Sequence, residues 1–404
     1  MAKVQWAKSV LATLGLLVLP ALLLAQVEVG PESVIAGGGD CPGVAALGNT
    51  NVLVWQAGTV RGRLFRPNAT VDFAVGGASA RLPQVAMDSD GDLVVAWQGD
   101  DGAGSGIFAR RLRANGAFQG AGQRVNTPVT GNQTTPRLGV APDGSFVIGW
   151  EDTVAGADAI RVARFSADGR RFGRPMAMNA GGGDIRLIGG VGVSDFGFAV
   201  GWTEVEECAG GALDLTSAVG RFDASGRALG SVARFNDAAQ CAGGPAVAGV
   251  LSSYFGPLGV FAGDTVSIQR FSPISGERVA ERTVVADLAS CTADFCERVA
   301  TVAGDLRGRV VVVWETKTLD ATAARYHYDL VAQLYGREGR ARSPRFRING
   351  ASSSGEQHPA AALTCEGGFY VAWRRSEDAG SPALANSPGL VYRSFVLSGE
   401  PFGG

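Results

Sequence analysis

The fold of this protein is decided by one stretch of its sequence, residues 83–126, PQVAMDSDGDLVVAWQGDDGAGSGIFARRLRANGAFQGAGQRVN. It contains a small apolar strand, a turn, a β-rich strand that ends in Trp97, a loop, a strand with two arginines, an Asn-Gly turn and a last strand. Residues 136–179, PRLGVAPDGSFVIGWEDTVAGADAIRVARFSADGRRFGRPMAMN, repeat this order, and both copies place tryptophan fourteen residues after proline. Asn-Gly and Asp-Gly dipeptides supply the positive φ angles that tight hairpins need, so these turns have a physical basis.

The same unit recurs along the rest of the chain. Its strand-ending aromatic residue returns every 42 to 59 residues, at Trp55, Trp97, Trp150, Trp202, Phe261, Trp314 and Trp373. A period of about 50 residues with four strands per unit is typical of a propeller blade. The innermost predicted strands are rich in alanine, glycine and valine, which suits strands that crowd around an axis. We therefore predict an all-β fold, a seven-bladed β-propeller of four-stranded antiparallel blades.

The two ends of the chain predict how the ring closes. The last repeat ends after its third strand, whereas residues 28–40, EVGPESVIAGGGD, resemble residues 174–184, RPMAMNAGGGD, which end the third repeat. We therefore expect the N-terminal strand to complete the last blade, which leaves no open sheet edge. The predicted organisation is a signal peptide at 1–25 and a single domain at 26–404, with a closing strand at 26–40 and blades at about 41–80, 81–135, 136–184, 185–244, 245–297, 298–358 and 359–404.

These repeats resemble those of a group of mostly uncharacterised, exported bacterial β-propeller proteins, whose units have the form DGxFVVxW…GxxxARRFxxxG…VN. The matching residues are 90–97, DGDLVVAW, then 107–112, IFARRL, and 125–126, VN. The resemblance covers nearly the whole chain after residue 25 and is weakest in the fifth repeat, where Phe261 replaces tryptophan. It implies the propeller fold and an exported location, and no particular reaction.

The first 25 residues predict export. Lys3 and Lys8 precede an apolar run at 10–25, which has the order of a secretory signal peptide and is short beside the roughly 20 residues of a membrane span. We expect cleavage after Ala25, the alternative being an uncleaved N-terminal anchor. No second apolar run occurs, so we expect a secreted, periplasmic or cell-envelope protein with no membrane span in the mature chain. The net charge of -2 argues against a nucleic-acid partner, and we expect a monomer.

Six cysteines in an exported chain favour disulfide bonds. Cys208 and Cys241 lie in loops that emerge on the same propeller face, which predicts a bridge between them. Cys291 and Cys296 lie in the connection between the fifth and sixth blades and predict a small local loop. The two other cysteines are expected on opposite faces, too far apart to bridge. The alternative is that all six are reduced.

Two other sets of residues suggest a metal or ligand site. Asp88, Asp90 and Asp92 alternate as at the start of a calcium loop, but no glutamate closes it, so an ordinary hairpin turn competes with this interpretation. We therefore predict no cofactor, with calcium as the alternative. The two histidines, His327 in a predicted long loop at 316–329 and His358, are both expected on one face of blade six. A mononuclear metal site needs a third ligand, which no spacing indicates, so surface loop residues are the competing interpretation.

The residue after each strand-ending aromatic carries the strongest functional signal. In a closed ring these positions converge near the mouth of the central channel, and loops on a rigid scaffold commonly carry binding function. The candidate ligand-binding residues are Glu151, Trp202, Glu315, His327, His358 and Arg374.

Three functional hypotheses follow. The chain carries no recognisable catalytic or phosphate-binding motif, and its predicted loops are long in blades four, six and seven. These features favour a non-enzymatic binding module that recognises a protein or a glycan on that face. The alternative is a hydrolase or lyase acting on glycans, with Glu151 and Glu315 as acid and base and Arg374 holding an anionic group. A purely architectural role is the third hypothesis.

Overall fold

The computed structural model has strands and no helix among the residues that it describes. These are residues 26–127, 130–154, 157–178, 185–208, 211, 213–235, 246–251, 257–262, 265–287, 295–320, 325–350, 355–366, 368–376 and 389–398. No segment within these ranges is a helix that could cross a membrane. The predicted signal peptide at 1–25 lies outside the described residues.

Five four-stranded antiparallel sheets follow one another along the chain. After β1 (Gln26–Val29) and β2 (Ser33–Gly37), the first sheet contains β3 (Asp40–Leu47), β4 (Thr50–Gln56), β5 (Val60–Arg66) and β6 (Ala69–Val75). The second contains β7 (Arg81–Met87), β8 (Leu93–Asp100), β9 (Ser105–Leu112) and β10 (Phe118–Arg124). The third contains β11 (Asn132–Val140), β12 (Phe146–Val154), β13 (Ala157–Phe165) and β14 (Met176–Ala177). The fourth contains β15 (Ile185–Ser194), β16 (Gly197–Glu207), β17 (Leu213–Asp223) and β18 (Ala233–Phe235). The fifth contains β19 (Ala246–Leu251), β20 (Leu258–Ala262), β21 (Thr265–Phe271) and β22 (Arg278–Asp287).

The remaining strands form a nine-stranded sheet made of two antiparallel groups. The first group is β23 (Phe295–Gly304), β24 (Val310–Asp320), β25 (Arg325–Tyr335) and β26 (Phe346–Arg347). The second is β27 (Gly355–Leu363), β28 (Gly368–Ser376) and β29 (Gly389–Ser398), with β1 and β2 both paired antiparallel to β29. One parallel pair, Tyr328 with Gly355, joins the two groups. The N-terminal segment therefore lies along the outer edge of the last group.

The second strand of each sheet is its buried core. Trp150, Trp202, Trp314 and Trp373 lie three to six residues before the ends of these strands and are all fully buried. Near-continuous apolar runs suit strands that are covered on both faces. The fourth strands differ, since β10 is mostly exposed. Each sheet therefore extends from a buried inner part to a solvated outer edge.

The first strands of the sheets contact one another in chain order around a common cavity. β3 contacts β7, the series continues through β11, β15, β19, β23 and β27, and β27 contacts β3. The cavity has a volume of about 480 Å³, is open to solvent and is lined mainly by alanine, glycine and valine. Small residues are required here, because a Cβ atom on Gly190 would lie 2.6 Å from the backbone nitrogen of Val250 in the next sheet. Sheets that radiate from a central cavity in this way form a β-propeller.

A β-bulge lies at a proline in four of the first strands. The residue before the proline has a positive φ of 48° to 53°, at Cys41, Leu82, Thr135 and His358. The bulge keeps the strand paired across a proline, which has no N–H to donate. As a result β11 begins at Asn132 and β27 at Gly355, several residues before the prolines at which the boundaries were predicted.

The segment predicted as a long loop in blade six is an extended hairpin. Residues 316–320 belong to β24 and residues 325–329 to β25, with Thr318 opposite His327 and Lys317 opposite Tyr328. Threonine and tyrosine pack well on a pleated surface, which favours strands over a loop. The predicted loop is therefore largely a two-stranded ribbon.

A repeated motif of the third strand, residues 109–111 (ARR) and 162–164 (VAR), ends in an arginine that links neighbouring sheets. Arg111 donates a hydrogen bond to the carbonyl oxygen of Ala167, and Arg164 Nη1 donates one of 2.7 Å to that of Ala224. Each acceptor lies in a hairpin turn of the next sheet along the chain. A guanidinium makes a strong, charge-assisted bond to such a carbonyl. The repeated motif therefore has a structural role.

An ion-pair network holds the N-terminal segment to the last group of strands. Glu32, between β1 and β2, lies 2.7 Å from Arg375 and 3.6 Å from Arg393, and it accepts a hydrogen bond from the backbone N–H of Gly350. Arg375 also lies 3.0 Å from the carboxylate of Glu356, which is fully buried. One guanidinium therefore neutralises two carboxylates, one on the N-terminal segment and one on β27.

We expect the stabilisation that Glu32 provides to depend on pH. Burial would raise the pKa of Glu32, but the hydrogen bonds from Arg375 and Gly350 and the nearby arginine charges outweigh it and lower the pKa below 4.5. The unfolded chain therefore takes up the proton first, so the stabilisation is complete above pH 4.5 and is lost as the pH falls through the lowered native pKa. The difference in unfolding free energy between the wild type and Glu32→Gln should be largest at neutral pH and should shrink in acid. An equal difference at both pH values would contradict this expectation.

Candidate functional site

The two predicted acid and base residues link neighbouring groups of strands: Glu151 joins the third and fourth sheets, and Glu315 joins the two groups of the nine-stranded sheet. Glu151 Oε1 accepts a hydrogen bond of 3.0 Å from the backbone N–H of Ile188, and Glu315 Oε1 accepts one of 3.1 Å from that of His358. Glu151 also accepts a 2.8 Å bond from the hydroxyl of Thr135. The two carboxylates lie in different sheets, and no contact among the described residues joins them. The structure therefore gives both a positioning role and does not assemble them as an acid–base pair.

Trp202 does not present a surface to a ligand. Its side chain is fully buried in the core between the third and fourth sheets. Its indole Nε1 donates a hydrogen bond of 3.1 Å to Glu204. The sequence predicts Trp202 as a binding residue because it precedes the rim position, but a strand-ending aromatic at this site packs inward.

The structure brings His358 and Arg374 together with residues of β3. His358 Nδ1 lies 2.8 Å from Asp40 Oδ1, and Arg374 Nη1 lies 3.3 Å from Asp40 Oδ2. The backbone N–H of Cys41 donates a 2.8 Å hydrogen bond to the same carboxylate. We call Asp40, Cys41, Glu315, His358 and Arg374 the His358 cluster.

The β-bulges place the His358 cluster at one end of the central cavity. Cys41 and His358 occupy the same bulge position in β3 and β27, and each directly precedes a proline that lines the cavity. Because β27 contacts β3, these two positions face each other across the junction of the last and first sheets. The imidazole of His358 is about half exposed, at 50%. A ligand at the cavity entrance can therefore reach it.

The charges in the cluster are set by burial and by hydrogen bonds. Burial would raise the pKa of Asp40, but the hydrogen bonds from His358 and from the Cys41 N–H, with the charges of His358 and Arg374, lower it. Burial and the neighbouring Asp40 carboxylate raise the pKa of the Cys41 thiol to about 11. At neutral pH the cluster therefore contains an aspartate anion beside a protonated thiol.

The cavity itself has one charged side chain among the described residues that line it, Arg137. Its Nε donates a hydrogen bond of 3.3 Å to the carbonyl oxygen of Gly189. Burial lowers the pKa of Arg137, while the charge of Glu151 raises it. Because an arginine keeps its proton in proteins, the cavity wall carries a positive charge.

The hairpin of β24 and β25 lies beside the His358 cluster. Tyr328 pairs with Gly355, three residues before His358. Tyr326 is exposed, and Lys317 Nζ lies 3.7 Å from the centre of its ring. His327 alternates with these tyrosines and pairs with Thr318. No contact among the described residues joins the two histidines.

Asp40 and Cys41 are not among the site residues that the sequence predicts. Asp40 lies 318 residues before His358, so their contact depends on how the last sheet meets the first. The sequence signal for this site is the residue before each aligned proline. Two repeats have Leu82 and Thr135 at this position, and two others have Cys41 and His358. Comparison of this position across the repeats would have paired the thiol with the imidazole.

The predicted calcium residues act as turn caps. Asp88 Oδ1 accepts hydrogen bonds from the backbone N–H groups of Asp90 and Asp92, at 3.0 and 2.9 Å. Asp92 Oδ1 accepts one of 2.8 Å from the backbone of Ala114, and its Oδ2 accepts one of 2.5 Å from Gln119. The bond between the Asp88 carboxylate and the Asp90 backbone is that of an Asx turn. The calcium hypothesis stays an untested prediction.

Two cysteines are free thiols, Cys41 and Cys365, and both are partly buried. Cys208 is disulfide-bonded. Its predicted partner, Cys241, and also Cys291 lie outside the described residues. The pairings Cys208–Cys241 and Cys291–Cys296 therefore stay predictions.

The sequence matches no known protein family and no curated protein. Among solved structures it is similar to an α-L-arabinanase of Penicillium chrysogenum in complex with arabinobiose, with a TM-score of 0.46 and 11% identity over 79% of this chain and 99% of the other. The polysaccharide lyase Uly1 gives a TM-score of 0.46 and 9% identity over 90% and 91% of the two chains. The WD40 β-propeller domain of Doa1 gives 0.46 and 10% over 91% and 96%.

The expectation of a non-enzymatic binding module is corrected at this point. The similar structures are mostly enzymes that act on glycans, namely arabinanase, sialidase, polysaccharide lyase and arabinofuranosidase. This set of enzymes corresponds to the alternative hypothesis, a hydrolase or lyase that acts on glycans. At identities of 8% to 11% the likeness concerns the fold alone, so the reaction must be argued from this chain's own residues.

Proposed function

We propose that this protein cleaves acidic glycans by β-elimination at the His358 cluster. The observation that carries the proposal is the arrangement of Asp40, His358 and Arg374, in which one carboxylate contacts both an exposed imidazole and a guanidinium. Elimination next to a carboxylate requires two groups. One is a base that a carboxylate orients, and the other is a cation beside that base.

The Asp40–His358 pair supports a role for His358 as general base. With a carboxylate beside Nδ1, the tautomer that carries its proton on Nδ1 is favoured, which leaves the lone pair on Nε2. The lowered pKa of Asp40 keeps this partner anionic at neutral pH. Nε2 has no hydrogen-bond partner in the part of the chain that the structure describes. A substrate proton can therefore be taken up at Nε2.

The arginines favour a substrate with a carboxylate. Arg374 is partly exposed beside His358, and Arg137 adds a positive charge to the cavity wall. In a uronate residue the proton on the carbon next to the carboxylate becomes more acidic when a cation neutralises that carboxylate. Removal of this proton by His358 forms a carbon–carbon double bond as the bond to the glycosidic oxygen breaks. The departing oxygen takes up a proton, which the imidazolium of His358 can return.

Hydrolysis fits the cluster less well. Most glycosidases use two carboxyl groups that flank the scissile bond. Glu315 is buried and accepts the backbone N–H of His358, while Asp40 is held by His358, Cys41 and Arg374. Neither carboxylate is arranged to protonate a leaving group. Tyr326, on the neighbouring hairpin, is exposed, with Lys317 over one face of its ring.

This function presupposes a closed ring of seven four-stranded blades, with the N-terminal segment completing the last blade. The circular order of contacts from β3 through β27 and the pairing of β1 and β2 with β29 support it. Export of the protein, by the predicted signal peptide, belongs to the same proposal, since polymeric glycans lie outside the cell membrane.

A panel of glycans tests the proposed function. The purified protein should release unsaturated products, detected by their ultraviolet absorbance, from one or more uronate-containing glycans such as polygalacturonate, alginate or hyaluronate. Neutral arabinan and starch should remain intact. Cleavage of a neutral glycan, or new reducing ends without the double bond, would contradict elimination.

A further inference from the structure

We propose that Asp40, Cys41 and His358 also bind a divalent cation of the Zn²⁺ type, and that the bound cation prevents the proton transfer assigned to His358. The second half of this inference rests on the proposed function, and the first half does not. One ligand atom from each residue lies within 4.8 Å of the other two.

The donor set selects the kind of cation. A thiolate sulfur, an imidazole nitrogen and a carboxylate oxygen are the ligands that Zn²⁺ takes in proteins, and three protein ligands leave a position for water. Mg²⁺ and Ca²⁺ prefer all-oxygen sites, so the thiol of Cys41 counts against them. The sequence indicates no third ligand for a site made of the two histidines. In the structure, His358 lies beside two other ligating residues, Asp40 and Cys41.

The backbone holds two of the three ligands in place before any cation arrives. Cys41 and His358 have positive φ angles of 48° and 52°, and each is followed by a proline within a bulged strand. Leu82 and Thr135 have the same conformation, so the bulge itself belongs to the architecture. At the junction of β27 and β3, the bulge position holds side chains that can bind a metal, His358 and Cys41. A rigid backbone at these positions lowers the free-energy cost of ordering a metal site.

The surrounding charges favour a cation. Asp40 and Glu315 are carboxylates, and Glu315 lies 3.1 Å from the backbone nitrogen of His358. The cation displaces the thiol proton of Cys41 to solvent, which adds a third negative charge without any redox step. Arg374 opposes binding, because its guanidinium lies 3.3 Å from Asp40 Oδ2. Removal of this guanidinium should therefore strengthen binding.

Cation binding and proton transfer compete for the same groups. A cation held by Asp40 and His358 replaces the hydrogen bond of 2.8 Å that orients the imidazole. With the cation on Nδ1, the ring proton moves from Nδ1 to Nε2, so no lone pair remains there to take up a substrate proton. Zn²⁺ should therefore inhibit glycan cleavage when it fills the site.

Titration with Co²⁺ under argon tests the site, since a thiolate bound to Co²⁺ absorbs in the near ultraviolet. We expect this band in the wild type, its displacement by Zn²⁺, and its loss in Cys41→Ser and His358→Asn. Cys365→Ser is the matched control, because it removes the other free thiol and should keep the band. Arg374→Gln should shift the titration to lower Co²⁺ concentration.

The outcomes separate the site from the proposed function. A band that survives in Cys41→Ser, while circular dichroism shows an intact fold, overturns the metal site. A band that disappears in Cys365→Ser does the same. If the site binds Co²⁺ in a protein that cleaves no glycan, the metal site stands and the proposed function fails. If Zn²⁺ fills the site and cleavage continues unchanged, the competition is wrong.

Discussion

Replacement of His358 by asparagine should lower kcat/KM for a polyuronate by about a hundredfold to ten-thousandfold, the range that a positioned general base contributes. Asparagine tolerates the left-handed backbone conformation of this residue, φ 52°, and cannot accept the substrate proton. The loss should therefore appear in the rate of cleavage, with the free energy of unfolding close to that of the wild type. Initial rates from the ultraviolet absorbance of the product measure the effect.

The other histidine gives a matched control. His327 pairs with Thr318 on the neighbouring hairpin and makes no described contact with Asp40. His327→Gln should leave kcat/KM close to the wild-type value. An equal loss in both variants would mean that His358 is not the base.

Replacement of Arg375 by methionine should destabilise the protein by about 3–5 kcal/mol, the cost of removing one partner from a buried ion pair. The change leaves Glu356 fully buried without its guanidinium, and it releases Glu32 on the N-terminal segment. Chemical denaturation followed by tryptophan fluorescence measures the loss. Amide hydrogen exchange should also become faster in β1 and β2, because they lose the tie to β28.

An exposed ion pair provides the control for this measurement. Arg337 lies 2.9 Å from Glu338, and the two side chains are 50% and 49% exposed. Arg337→Met should cost less than about 1 kcal/mol, as exposed pairs commonly do. A similar small loss in Arg375→Met would contradict the view that Glu32 and Arg375 fix the N-terminal segment.

The fold was predictable because the repeat carries its own physical signals. Tryptophans that end near-continuous apolar strands and Asx-Gly turns at a fixed distance predict the four-stranded sheets, and the likeness of residues 28–40 to 174–184 predicts the position of the N-terminal segment. Two blade boundaries were predicted at prolines. In the structure, a bulge with a left-handed residue lets β11 and β27 continue across these prolines.

The site was less predictable because its contacts cross between sheets. The residues after the tryptophans were predicted to form a rim of free side chains at the channel mouth. In the structure, Glu151 and Glu315 accept hydrogen bonds from backbone N–H groups of the next group of strands. A sequence pattern does not reveal such a partner. Asp40 reaches His358 only because β3 and β27 meet, and no local motif marks that junction.

The masses of the cleavage products test the proposed reaction most directly. An acidic oligosaccharide of defined length is incubated with the wild-type protein, and all products are weighed by mass spectrometry. Elimination predicts two products whose masses add up to that of the substrate, one of them unsaturated, and no such products with His358→Asn. Products that together exceed the substrate by one water would show hydrolysis, and an uncleaved substrate would contradict the assignment of the His358 cluster as a catalytic site.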